Sequence, residues 1–176
     1  MLQLSKEFLD LVKSWFVISL IFSIFQTPFF LIFLLSSLTV GLGFIGHELM
    51  HKLIAKRYGA WAEYRSDDKM LMMSLLISFT GFIFIAPGAV IIRGKKLTKK
   101  QNGLISLAGP LTNINLSLIF LYVSNYLPFF SYGYVINAWL ALFNLIPFGN
   151  FDGRKVFDWN KTVWVIFLLI SIFLTF

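Results

Sequence analysis

From Ser14 to Gly46 the chain carries no charged side chain. So long an uncharged run reads as membrane-buried helix, because lipid accepts apolar side chains and makes the backbone bond to itself. The composition agrees. Hydrophobic residues make up 58% of the 176 residues, charged residues only 13%, and mean hydropathy is +0.80. Values this far from the soluble range set the class as a polytopic membrane protein. At the end of the run stands "GFIGHELMH", residues 43–51, holding both histidines of the chain and Glu48. Ionisable groups at membrane depth are expensive and mark function.

Apolar segments fall at about 11–26, 28–57, 70–92, 102–124, 132–150 and 161–176, with Pro28 dividing the first two. A spanning helix needs about 20 residues, so the first and last are short. The N-terminal segment lacks a small-residue cleavage site and reads as a retained helix. Basic residues cluster in four places: Lys6 and Lys13; Lys52 to Lys69; Arg93 to Lys100; and Arg154 to Lys161. The positive-inside rule puts all four in the cytoplasm, and the N-terminus with them. Segment 70–92 then has cytoplasmic flanks on both sides and must enter and leave on one face. Gly81, Pro87 and Gly88 favour a hairpin or broken element there over the alternative, an ordinary spanning helix. The expected fold is all-α and polytopic, with about five transmembrane helices and a re-entrant element, a candidate for β structure, around 70–92. It forms one membrane-embedded domain over 1–176, with a core at 28–157 and peripheral helices at 11–26 and 161–176. The net charge of +7 implies no nucleic acid, because the basic residues lie in short clusters between apolar runs. The implied surroundings are a lipid bilayer, with the chain multi-pass in a cell membrane.

His47-Glu48-x-x-His51 has the H-E-x-x-H form. Residues i and i+4 share a helix face, so both imidazoles can bind one ion, and Glu48 beside them can take a proton from metal-bound water. The alternative is a histidine pair satisfied by hydrogen bonds, which leaves Glu48 unexplained. A catalytic zinc takes three protein ligands and one open position. No other histidine, no cysteine and no glutamate after Glu63 is available. Asp67 and Asp68 sit in a charged stretch and read as solvated. Elimination leaves Asp152 in "FNLIPFGNFDGR", where Pro147, Gly149 and Gly153 can unwind a helix end and turn a carboxylate inward. Its alternative use is as a turn residue in an Asp-Gly pair. Depth agrees with the pairing: at 1.5 Å per residue, His51 and His47 lie about 9 and 15 Å from Arg57, and Asp152 approaches from the same side.

Together, "HELMH" (47–51), "AGPLTN" (108–113) and "NLIPFGNFDG" (144–153) resemble the site-2 protease family of intramembrane zinc metalloproteases. The spacing of Asn144, Pro147, Asp152 and Gly153 fits that family's second signature, with Gly149 in place of a second proline. The resemblance covers roughly 45–155. It implies one zinc ion held by His47, His51 and Asp152, with Glu48 as general base and Asn144 positioning the substrate or the tetrahedral intermediate. It implies a core of three helices and a membrane-re-entrant β element, with "IAPGAV" as its edge. The substrate would be a transmembrane protein, cut within or near its membrane segment. Nothing resembling a regulatory domain is present, so the unit is minimal or depends on a partner or a second copy of itself.

Asn113, on the Gly-Pro helix, reads as a residue bonding across helices rather than a direct participant in chemistry. Glu48, Asn113, Asn144 and Asn150 are candidates to line a polar, cytoplasm-facing cavity. The rival reading is a non-catalytic membrane metal-binding protein, either a transporter or a silent scaffold. A transporter needs ionisable residues through the whole membrane, and here they cluster on one side. A silent scaffold has no use for Glu48.

Overall fold

The computed structural model describes residues 5–83, 85 and 87–176. Helix α1, Lys6–Ser23, is capped by Ser5, whose hydroxyl accepts from the Phe8 N–H at 3.3 Å. Its buried residues Asp10, Ser14, Ile18 and Phe22 recur every four positions and form one face. Helix α2, Phe29–Arg57, is 29 residues long, about 43 Å at helical rise. It contains a π-turn at Ser37–Gly41. Gly59, at φ +78°, ends it in the left-handed conformation that β-carbons disfavour. The chain then reverses into strand β1, Trp61–Ser66.

Helix α3, Asp68–Ser78, follows, and strand β2, Gly88–Arg93, pairs antiparallel with β1 in the register Tyr64↔Val90. Helix α4, Lys99–Ser124, starts from a capping box between Thr98 and Gln101. Helix α5 is Ser131–Asn144, α6 is Asp152–Trp159 and α7 is Lys161–Thr175. The central helix is α4, which packs against α2, α5 and α6.

Three expectations change. Among the described residues two helices, Phe29–Arg57 and Lys99–Ser124, are long and apolar enough to cross a membrane, not about five. Segment 132–150 yields a helix of only 14 residues because the chain unwinds after Asn144. Segment 161–176 yields 15 residues, and α1 carries Lys6, Glu7, Asp10 and Lys13. The β structure, expected only around 70–92, also takes in a strand at Trp61–Ser66. The segment around 70–92 divides into the end of α3, a connection and β2, and β2 finds its partner in a stretch that read as a charged loop. Within "IAPGAV", Ala86 lies outside the described residues, and the strand begins at Gly88. Finally, Asp67 is not merely solvated: its carboxylate caps α3, accepting from the Lys69 and Met70 N–H groups at 3.1 Å each.

Ion pairs tie α1 to the sheet. Lys52 Nζ lies 2.6 and 2.5 Å from the two Glu7 oxygens, and Glu7 also accepts from the Tyr64 N–H at 3.0 Å. Burial pushes the Glu7 pKa up, but the Lys52 ammonium and the Tyr64 N–H outweigh it and hold the carboxyl below its ordinary value. A carboxyl with a lowered folded pKa contributes stability that is full above its ordinary pKa of about 4.3 and is lost as pH falls through the lowered value. Glu7→Gln should therefore destabilise the detergent-solubilised protein by about 1–3 kcal/mol at neutral pH. In thermal melts the gap between wild type and variant should shrink as pH is lowered below about 4.

Candidate metal centre

The site forms where α2, α4 and the start of α6 meet. His47 and His51 are one helical turn apart on α2, and both are buried. Asp152 opens α6 rather than ending the preceding helix. Between Asn144 and Asp152 the chain unwinds through Pro147 and Gly149, the latter at φ +63°. Gly153 lets the first turn of α6 press against the end of α5: a β-carbon there would strike the Leu145 and Ile146 carbonyl oxygens. The Asp-Gly pair thus places a carboxylate as well as making a turn. Trp164 Nε1 of α7 donates to the same Leu145 oxygen at 2.8 Å, anchoring the unwound stretch.

Asp152 Oδ2 stands 3.3 Å from His47 Nε2 and 3.0 Å from His51 Nε2. One donor atom from each of the three residues falls within 4.8 Å of the others. In a tetrahedral zinc site with bonds of about 2.0–2.1 Å, donor atoms lie about 3.3–3.4 Å apart. The two His–Asp152 separations therefore fit zinc with little adjustment, and the third lies within 4.8 Å.

The outer nitrogens agree. His51 Nδ1 lies 2.7 Å from the Ile105 carbonyl oxygen, which can only accept, so Nδ1 carries the proton. His47 Nδ1 lies 2.6 Å from Asn113 Oδ1. The Asn113 amide nitrogen is engaged by the Gly43 oxygen and by Asn137 Oδ1, so its own oxygen faces the ring and His47 Nδ1 also donates. Both Nε2 lone pairs are left for a metal. Gly109 of α4 faces the two rings, and a β-carbon there would run into both Nε2 atoms.

Glu48 is buried beside the pair and accepts a hydrogen bond from the Val90 N–H of β2. Asn144 is half-buried at the end of α5, with its amide nitrogen 2.9 Å from the Leu140 oxygen. A cavity of about 1210 Å3 is lined by Glu48, Asn113, Asn144, Asn150, the three candidate ligands and the β2 strand. The candidate ligands, Glu48 and the three asparagines singled out in the sequence therefore border one space. The carbonyl of Ile105 and the side chain of Asn137 were not singled out. A carbonyl leaves no mark in sequence, whereas an asparagine within the apolar run "YVINAWLALF" does.

Gly109→Ala should weaken zinc binding by about 10–100-fold. Zinc content after dialysis against a graded chelator, read beside the thermal melt of the same sample, would check this.

No family model matches the chain, and no solved structure matches it. A protein of Methanocaldococcus jannaschii named "Putative zinc metalloprotease" is 41% identical over 169 residues, covering 92% of this chain and 88% of that relative. The name and the His47–His51–Asp152 cluster agree on zinc as the cofactor. The chain belongs to the zinc metalloprotease family of this archaeal relative.

Proposed function

We propose that the protein is an intramembrane endopeptidase of the site-2 protease kind, hydrolysing a peptide bond within or near a transmembrane segment of another protein. The observation that carries this is one cavity shared by Glu48, the His47–His51–Asp152 cluster and a strand edge, beside a helix long enough to cross a membrane. The protein would be multi-pass in a cell membrane, with its site open to the cytoplasm.

His47, His51 and Asp152 would hold the zinc. When bound, zinc supplies a Lewis acid that makes water more acidic and a carbonyl more electrophilic. Glu48 accepts the proton of the attacking water as the new C–O bond forms. It then passes that proton to the nitrogen as the C–N bond breaks. Asn144 has one amide N–H free of the Leu140 oxygen and donates it to the developing oxyanion.

A helical peptide bond is shielded, so the substrate must be extended. The Tyr64 N–H goes to Glu7 and not to β2, which makes Tyr64↔Val90 a non-hydrogen-bonded pair. By alternation Gly88, Val90 and Ile92 direct their backbone groups to the outer edge of β2. This edge borders the cavity; with the Val90 N–H held by Glu48, the Val90 carbonyl and the outward groups of Gly88 and Ile92 offer a strand for an unwound substrate to join.

Glu48→Gln should keep one zinc and lose cleavage of single-span membrane proteins by about 10²–10⁴-fold. Asn144→Ala should keep zinc and lose about 10²–10³-fold. Equal cleavage by wild type and Glu48→Gln would contradict the mechanism.

A further inference from the structure

We propose that Asn137, a residue of α5 outside the metal centre, is a positioning residue for the zinc ligand His47, acting through Asn113. The proposal rests on His47 being a zinc ligand, and not on which peptide bond is cut.

Asn137 reaches the π-turn of α2. A π-turn widens the helix and loosens its carbonyls from their usual partners. Around this one, side chains from three other helices supply donors. Trp15 Nε1 of α1 lies 2.9 Å from the Ser37 oxygen, Asn137 Nδ2 of α5 lies 3.3 Å from the Thr39 oxygen, and Asn113 Nδ2 of α4 lies 3.3 Å from the Gly43 oxygen. Asn113 and Asn137 are both fully buried.

The direction of every bond is forced. Asn137 Nδ2 also lies 2.9 Å from the Gly133 oxygen. Backbone carbonyls only accept, so Thr39 and Gly133 fix which end of the Asn137 amide is nitrogen. Its oxygen then accepts from Asn113 Nδ2 at 3.0 Å. That oxygen and the Gly43 carbonyl together fix the Asn113 amide. Asn113 Oδ1 is left to face His47 Nδ1 at 2.6 Å, so the ring must donate from Nδ1. Three backbone carbonyls thereby set the tautomer and tilt of a zinc ligand through two asparagines. Gly43 makes the approach feasible, since a β-carbon there would overlap Asn137 Oδ1. His51 takes no part: its Nδ1 bonds to the Ile105 oxygen instead. This independence supplies an internal control.

The test is imidazole ¹⁵N–¹H NMR of zinc-loaded, histidine-labelled protein in detergent, where two histidines give two Nδ1–H signals. In Asn137→Leu the His47 proton should exchange with water about tenfold faster or more, the His51 signal should stay unchanged, and the zinc dissociation constant should rise about 10–100-fold. Gly43→Ala displaces the Asn137 amide without removing it, and should give the same selective loss at His47. A general loosening of the fold would move both histidines together, and that result would overturn the proposal. So would an unchanged His47 signal with unchanged zinc affinity in both variants. Zinc content of the wild type is read in the same samples, where failure of the metal centre itself would appear at both histidines and without any substitution.

Discussion

A carboxylate and two imidazoles held together inside an apolar bundle need a positive charge among them. Burying an ionised carboxylate costs several kcal/mol unless it is compensated. Lys155, the nearest cation paired with Asp152, is 4.0 Å away and half in solvent. A divalent ion between the three donor atoms resolves this, and most of the surrounding structure serves to hold those atoms still. Gly109 removes the side chain that would displace them. Pro110 leaves the Ser106 carbonyl without its helical partner and disturbs α4 one residue beyond the oxygen that His51 uses. Gly153 admits the turn that delivers Asp152.

A second set of contacts, largely polar, holds the strand edge over Glu48. Tyr64 is fully buried in β1, and burial pushes its phenol pKa well up, so it stays protonated. Its hydroxyl donates to the Pro87 oxygen at 3.0 Å and therefore accepts from Ser14 at 2.9 Å. The same residue's N–H is held by Glu7, and Glu7 is held by Lys52, the neighbour of His51. Arg65 pairs with Glu63 at 2.6 Å and approaches Asp10 at 3.5 Å, while Lys13 bonds to Asp68. Helix α1 is thus fastened to the sheet, to α2 and to α3. Through Val90, β2 meets the carboxylate on which the proposed proton transfer depends.

The metal centre was legible because its chemistry leaves few choices. A chain with two histidines and no cysteine offers few ways to complete a zinc site, and Pro147 and Gly149 before Asp152 announce the break that turns it inward. Strand β1 was hidden because only Ala62 and Tyr64 face the interior. Two alternating positions are too few to stand out, and Glu63 and Arg65 on the other face made the stretch look like a loop. Helix α3 was hidden for a related reason: its acidic start read as solvated charge when it is a cap. Hydropathy suggests about five spans where two described helices are long and apolar enough to cross a membrane, because it follows apolar length. It does not register that 132–150 stops being helical at Leu145, or weigh the charges of Lys6, Glu7, Asp10 and Lys13 in α1. The asparagine network was legible only in part: Asn113 read as a residue bonding across helices and Asn137 stands out in an apolar run, but the Gly43, Thr39 and Gly133 carbonyls that orient them, brought together from two helices, leave no mark.

The most direct measurement is zinc K-edge X-ray absorption on the purified protein in detergent. The account predicts one zinc per chain, bound by two imidazoles and by oxygen at about 2.0–2.2 Å, with no sulfur. Removing Asp152 should reduce the oxygen signal while the imidazole scattering persists. A protein that is folded and binds no zinc, or a zinc without imidazole scattering, would contradict the account at its centre.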